Sequence, residues 1–303
     1  MQATFLTKIV LPAALFIIML GMGLSLSWPD FKRVAKHPKA VAIGIFGQMV
    51  LLPLIGLGVV MAFGMTSALG LGLIILALCP GGTTSNMISF LARGDLALSI
   101  TLTAVVSLLT PLTIPIFGGL AMTYLMGEGA AIELPFVKTV LTLVVITIVP
   151  VALGMTIHRY APRFSKRAET PVKVLSTLFL FLVIAGVVKQ TWAELPGFFA
   201  QTGLASLTLN VLAMGLGYGI ANAARLKRAQ SITIGVEVGI QNGTTALLVT
   251  GTILQNPTMS IAPAIYSLIM FGTGAIFAVL VNLGRPAEEP TEAEAALEPA
   301  RIE

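Results

Sequence analysis

Charged residues are scarce in this sequence, and cysteine and histidine are scarcer still. Of 303 residues, 10% are charged, two are histidine and one is cysteine, whereas 56% are hydrophobic and the mean hydropathy is +0.95. A soluble domain carries about 25% charged residues. The composition therefore predicts a polytopic membrane protein. The lone Cys79 excludes an internal disulfide framework, and we interpret it as a small apolar side chain.

Long apolar runs predict an all-α protein with nine transmembrane helices, each of about 20 residues or more. The first run begins near a single Lys8, lacks a small-residue cleavage site and precedes a basic loop, so we expect a retained span and not a signal peptide. The predicted spans cover residues 8–28, 40–63, 67–91, 96–125, 135–157, 172–190, 203–223, 229–254 and 259–283.

Basic residues gather in alternate loops, for example around Lys32, Arg93, Arg163 and Arg225. By the positive-inside rule this side is cytoplasmic, which predicts an inner-membrane protein with its N-terminus outside and its C-terminus inside. The loops account for the net charge of +5, so we expect the lipid bilayer as a partner and no nucleic acid, and no protein partner is evident. Residues 286–303 are predicted to form a disordered cytoplasmic tail beyond one transmembrane domain, residues 1–285.

Two predicted spans are interrupted by short polar, glycine-rich segments. The third contains Pro80-Gly81-Gly82-Thr83-Thr84-Ser85-Asn86, and the eighth contains three glycines between 235 and 243. Proline and glycine favour an unwound helix, although small-residue helix packing is an alternative interpretation of the three glycines. Because the two spans cross in opposite directions, the pattern is typical of inverted repeats with a binding site at the midplane. Spans 1–4 then pair with spans 6–9.

Glu237 is the one acidic residue that falls inside a predicted span. A charged side chain at the bilayer centre costs roughly 2.5–3.5 kcal/mol on insertion scales. No lysine, arginine or histidine is predicted near the middle of a span, so a salt bridge is not expected to offset this cost. A bound cation or a proton is the remaining explanation, and both indicate a transport site.

Oxygen-bearing groups near the two interruptions suit a hard cation such as sodium. Ser99 and Thr103 share one helical face at i and i+4, although each hydroxyl could instead bond its own helix. Gln48 stands alone among apolar residues and could be an interhelical hydrogen bond. The candidates are Gln48, Ser85, Asn86, Ser99, Thr103, Glu237 and Gln241, with the backbone oxygens of Val238 and Ile240.

A half-helix starting near Thr83 would direct its N-terminal amides at the interruption. This end attracts anions, so Thr83, Thr84 and Asn242 are the candidate contacts of an anionic substrate. Capping of the half-helix is the alternative role for the threonines.

These motifs carry a family resemblance. The segments 80–86, 91–99 and 237–242, with 21–26 ahead of them, are similar to the bile acid:sodium symporter family, and the similarity extends over about residues 10–280. It implies a panel domain, about 8–28 and 135–190, and a core domain, about 40–125 and 203–283, whose two discontinuous helices cross near the midplane. It also implies two coupling sodium ions. The first would bind Ser85, Asn86, Ser99, Thr103 and Glu237, and the second Gln48, Glu237, Val238, Ile240 and Gln241.

The resemblance implies sodium-driven import, by alternating access, of a small organic anion such as a bile acid or a smaller carboxylate. The chain departs from bacterial relatives at Gly243-Thr244-Thr245 and over 267–271, and has nine predicted spans where many have ten, which leaves the substrate open. Proton coupling and export by a related fold are the alternatives within transport. Enzymatic activity is not expected, because His37 and His158 lie in or beside basic loops. A channel would show rings of repeated polar residues.

Overall fold

Helices form all the regular secondary structure that a computed structural model of the chain describes, which is residues 10–65, 67–127, 135–168 and 195–283 with a few positions between 169 and 194. We number these helices in chain order. They are α1 (Leu11–Ser25), α2 (Trp28–Lys36), α3 (Pro38–Phe46), α4 (Leu52–Ala62), α5 (Ser67–Ala77), α6 (Thr83–Leu91), α7 (Leu96–Met126), α8 (Phe136–Leu143), α9 (Val149–Tyr160), α10 (Leu195–Ala223), α11 (Arg228–Gly239), α12 (Gly243–Leu247) and α13 (Pro257–Asn282).

Within the described residues, six helical stretches are long and apolar enough to cross a membrane, which confirms a polytopic membrane protein. They match the second, fourth, fifth, seventh, eighth and ninth predicted spans. The sixth predicted span, 172–190, lies almost wholly outside the described residues, as does the tail 286–303, so a total of nine stays a prediction. The six stretches are Pro38–Ala62, Leu96–Met126, Phe136–Tyr160, Pro196–Ala223, Arg228–Ile253 and Pro257–Asn282.

The third predicted span is two helices. α5 ends at Ala77 and α6 begins at Thr83, with Pro80, Gly81 and Gly82 in the non-helical connection. Proline lacks an N–H and clashes with the preceding turn, so the helix ends before it. Gly82 then adopts an extended conformation (φ −163°, ψ −167°) as the N-cap of α6.

A second break separates α11 from α12. α11 ends at Gly239, Ile240 is extended (φ −105°, ψ 111°), and Asn242 caps the next helix. The two breaks touch, because the Asn242 N–H donates to the Pro80 carbonyl over 2.8 Å. This contact joins the third and eighth predicted spans at their interruptions.

Three π-helical segments lie within the spans, and the sequence did not predict them. Two of them, Gly47–Leu51 and Val144–Ile148, end two residues before a proline. A proline has no N–H to donate to the carbonyl four residues before it. In a π turn the N–H groups near that carbonyl donate instead to carbonyls five residues earlier. In the first segment the Leu52 N–H donates to the Gly47 carbonyl, and Gln48 lies inside the widened turn.

The α11–α12 stretch is the centre of the molecule. Every residue from Gln230 to Thr250 is buried, whereas in the other five stretches no more than 56% of the most apolar window is buried. α10 packs along α11, and α13 packs against α5 and α10, while α1 packs mainly against α9. The polar residues of α11 are therefore shielded by protein from lipid.

Candidate cation-binding site

A buried carboxylate lies within hydrogen-bond distance of two hydroxyl groups from another helix. Glu237 on α11 has no solvent-exposed surface, and neither do Ser99 and Thr103 on α7. The Ser99 hydroxyl lies 2.5 Å from Glu237 Oε1, and the Thr103 hydroxyl lies 2.8 Å from Glu237 Oε2. The i, i+4 spacing places both hydroxyls on one face of α7, so each meets one oxygen of the same carboxylate.

The short helix α6 contributes the remaining oxygens. Asn86 Oδ1 lies 2.8 Å from Ser99 Oγ and 3.5 Å from Thr103 Oγ1. Ser85 Oγ lies 3.4 Å from Thr103 Oγ1 and 2.8 Å from the Gly82 carbonyl. All five residues predicted for the first site, from α6, α7 and α11, are thus in mutual contact, and we call them the carboxylate cluster.

The carboxylate cluster holds more acceptor oxygens than protons. Each hydroxyl has one proton to donate, yet Ser99 and Thr103 each face both a Glu237 oxygen and Asn86 Oδ1. At least one of the close oxygen pairs is therefore left without a shared proton. A small cation among these oxygens would remove that conflict, because it accepts lone pairs from all of them at once.

Gly81 leaves the space that the carboxylate occupies. A Cβ atom at Gly81 would stand 2.6 Å from Glu237 Oε2 and 2.8 Å from Ser85 Oγ. A Cβ atom at the neighbouring Gly82 would find the Asn242 side chain at 3.5 Å, an ordinary contact. The sequence signalled the helix break through both glycines, but the structure gives Gly81 this additional role.

A second group of polar residues lies at the break that follows α11. Gln241 Nε2 donates to the Val238 carbonyl over 2.8 Å and to the Glu237 carbonyl over 3.3 Å. Gln48 Nε2 lies 3.5 Å from Gln241 Oε1. We call these residues, with Ile240, the glutamine cluster. The structure therefore brings together the residues predicted for the second site.

Gln48 Oε1 is a buried acceptor that receives no hydrogen bond from any residue the structure describes. An unsatisfied buried oxygen is costly, and a bound cation is one way to satisfy it. Ile240 has an extended backbone that ends α11, so its carbonyl is outside the helical hydrogen-bond ladder. These features leave Gln48 Oε1 and the Ile240 carbonyl oxygen as candidate ligands in the glutamine cluster.

The chemistry of both clusters suits a hard monovalent cation. Every candidate ligand is an oxygen, and Glu237 brings the single negative charge. Within the described parts of the chain, no group of three or more His, Cys, Asp or Glu residues could hold a metal ion. Soft or divalent metals are usually held by thiolates, imidazoles or several carboxylates.

The predicted substrate residues lie where the two breaks meet. Thr83 and Thr84 are the first two residues of α6 and are half-buried. Asn242 Oδ1 accepts from the Thr245 N–H over 3.1 Å and so caps α12, which leaves the Asn242 amide nitrogen as the donor beside Gly82. All three residues therefore lie at the contact between the two breaks. No hydrogen bond joins their side chains to one another.

Sequence reasoning missed two residues next to the glutamine cluster, Asn210 and Tyr266. Both donate to the carbonyl oxygen of Gly239, from Asn210 Nδ2 at 2.8 Å and from Tyr266 Oη at 2.7 Å. A lone polar residue in an apolar span usually packs or bonds within the helix bundle, so neither carried a distinct signal. Each is a polar residue within an apolar predicted span, Asn210 in the seventh span and Tyr266 in the ninth, and this is the one feature that marks them in the sequence.

The fold and the site define a class: a polytopic membrane protein whose broken helices meet at a buried, oxygen-lined centre, as in secondary transporters. The comparison with known proteins agrees, because the Sodium Bile acid symporter family matches residues 12–194. The chain belongs to this family, and it is a transporter and not an enzyme.

Curated relatives align over most of the chain. One is the "Probable sodium/metabolite cotransporter BASS2, chloroplastic" of Oryza sativa subsp. japonica, 27% identical over 95% of this chain and 68% of the relative. Another is the "Uncharacterized sodium-dependent transporter YocS" of Bacillus subtilis (strain 168), 29% identical over 83% of this chain and 76% of the relative. A third is the "Probable sodium/metabolite cotransporter BASS1, chloroplastic" of Arabidopsis thaliana, 25% identical over 90% of this chain and 66% of the relative.

Proposed function

We propose that the protein is a sodium-coupled symporter that imports a small organic anion. The observation that carries the proposal is the carboxylate cluster, in which the Glu237 and Asn86 oxygens compete for the two protons of the Ser99 and Thr103 hydroxyls. The relatives named as sodium-dependent transporter and sodium/metabolite cotransporter support sodium as the coupling ion. We assign one sodium ion to the carboxylate cluster and a second to the glutamine cluster.

The coupling follows from where the two clusters lie. Sodium in the carboxylate cluster neutralises Glu237 and ties α11 to α6 and α7, which lowers the cost of the buried charge. Sodium in the glutamine cluster joins the break in α11 to the π-helical turn at Gln48. Both ions thus favour the arrangement in which the two breaks meet and the anion site is complete. Such linkage between sites is typically worth about 1–3 kcal/mol.

Alternating access requires two bodies that move against each other. We assign α3–α7 and α10–α13 to a core body and α1, α8 and α9 to a panel body. The close packing of α1 on α9, of α13 on α5 and of α10 on α11 supports this division. The inverted repeat, the nine spans, the inner-membrane location and the outside N-terminus belong to the same proposal and rest on the sequence pattern and the loop charges.

Sodium should stabilise the purified protein against heat. A ligand at 100 times its dissociation constant adds about 2.7 kcal/mol per site, which raises the melting temperature by several degrees, because the shift is about 2–4 °C per kcal/mol at 150–250 residues and smaller for a longer chain. The measurement is a titration of NaCl against choline chloride at constant ionic strength. A melting temperature that does not depend on the sodium concentration but changes with pH would overturn sodium coupling and favour proton coupling.

The anion is assigned to the N-terminus of α6. The free N–H groups of its first turn and the positive end of its dipole attract a carboxylate, and the Asn242 amide adds a donor from the other break. Thr83 and Thr84 supply hydroxyls at the same end. This places the substrate beside the carboxylate cluster, because Ser85 and Asn86 follow directly in the same helix.

Removing these side chains should weaken anion binding and leave sodium binding unchanged. For the variant Thr83→Val/Thr84→Val/Asn242→Ser, we expect uptake of a transported carboxylate to fall at least tenfold, since each lost hydrogen bond to a charged group is worth about 1.5–3 kcal/mol. Sodium-dependent uptake into cells or vesicles, screened over monocarboxylates and bile acids, measures this. Thr250→Val is the matched control, because Thr250 bonds Ser260 and its own helix. Unchanged uptake in the triple variant would move the anion elsewhere.

A further inference from the structure

One carbonyl group at the break in α11 is bound by side chains from two neighbouring helices. Gly239 is the last residue of α11, and its carbonyl accepts from Asn210 on α10 and Tyr266 on α13. Neither residue has any solvent-exposed surface. A carbonyl oxygen has two lone pairs, so both are used and the Gly239 oxygen is withdrawn from cation binding.

The same peptide unit is fixed at its other end. The Ile240 N–H donates to the Val236 carbonyl over 2.8 Å, which is the last bond of the helical ladder. The peptide between Gly239 and Ile240 is thus held at both its N–H and its C=O. The change to extended backbone therefore occurs at Ile240, one of the two residues whose carbonyls are assigned to the second ion.

Gly239 allows the contact, because it brings α11 close to α10. A Cβ atom at Gly239 would stand 2.8 Å from the Cβ of Met214, and Asn210 lies one helical turn before Met214. Asn210 Oδ1 is buried and receives no hydrogen bond within the described part of the chain. The amide is therefore used for its donor alone, and an apolar residue would suit the interior better if packing were its only role.

We propose that Asn210 and Tyr266 are positioning residues of the second sodium site. They hold the Gly239 carbonyl away from the ion and so set the alignment of the Val238 and Ile240 carbonyls with Gln241 and Gln48. This inference rests on the proposed sodium coupling and adds to it two residues that do not touch the ion. It gives them a role in the affinity for sodium in addition to a role in stability.

The test is the sodium concentration that gives half of the full thermal stabilisation, measured for Tyr266→Phe. Loss of one buried hydrogen bond should raise it about three- to tenfold, while the melting temperature in choline stays close to that of the control. Thr147→Val is the control, because Thr147 is also buried and its hydroxyl bonds only its own helix, at the Leu143 carbonyl. Asn210→Ala is the second variant and should shift the half-saturating concentration in the same direction.

The outcomes separate this inference from the proposed function. A wild-type protein without a sodium response would overturn both. A normal wild-type response with unchanged half-saturation in Tyr266→Phe and Asn210→Ala would overturn the positioning role alone, as would melting temperatures lowered equally in sodium and choline. Combining Tyr266→Phe with Gln48→Ala tests the assignment to the second site, since effects at one site should not add.

Discussion

Glu237→Gln should abolish the response of the protein to sodium. At an effective dielectric constant of about 20, a cation roughly 2.5 Å from a carboxylate gains about 7 kcal/mol from its charge. Retaining only a third of that, about 2 kcal/mol, corresponds to a factor of about 30 in affinity. The sodium affinity measured by calorimetry should therefore fall at least 30-fold, and the sodium concentration that gives half of the thermal stabilisation should rise by at least the same factor.

The same substitution should leave the protein folded. Glutamine has nearly the shape of glutamate and no charge to bury, so the melting temperature in choline should equal or exceed that of the wild type. Thr233→Val is the matched control, since Thr233 lies one turn earlier on α11, is fully buried and bonds the Asp95 carbonyl. A Glu237→Gln protein that keeps its sodium response would remove Glu237 from the site.

Gly81→Ala should be the second most damaging change. The added methyl group would stand 2.6 Å from Glu237 Oε2 and 2.8 Å from Ser85 Oγ, closer than atoms can pack. Overpacking of a buried site costs about 1–3 kcal/mol, and here the displaced groups are the proposed cation ligands. We expect the half-saturating sodium concentration to rise about tenfold or more in the thermal titration.

The neighbouring glycine provides the control for this substitution. Gly82→Ala adds the same methyl group one residue later, where the nearest atom lies at 3.5 Å. It shares any general cost of replacing glycine at the break, so only the contact with the carboxylate cluster differs. Equal losses in the two variants would show that the break, and not the space beside Glu237, is what Gly81 provides.

The sequence predicted the parts of the site that depend on local chemistry. Pro80 followed directly by two glycines favours a helix break in an apolar span, and a buried Glu237 requires a compensating group. The i, i+4 spacing of Ser99 and Thr103 placed both hydroxyls on one face. These features are local, so the break in the third predicted span and the ligand types were readable before the structure.

The sequence could not predict features that depend on how distant helices pack. Asn210 and Tyr266 reach Gly239 only because α10 and α13 flank the break, and neither residue has a local motif. The π-helical turn at Gln48 depends on how the chain accommodates Pro53, which propensity alone does not decide. The distinction between Gly81 and Gly82 likewise needed the position of Glu237, which follows them by more than 150 residues.

The carboxylate cluster joins residues that are made at different times during protein synthesis. Ser99 and Thr103 precede Glu237 by 138 and 134 residues, which a ribosome adding about 5–20 residues per second needs roughly 7–28 s to cover. During that interval the earlier half of the cluster stands in the membrane with its hydroxyls and Asn86 but without the carboxylate. The proposed ion site is therefore completed late in biogenesis, when α11 packs against α6 and α7.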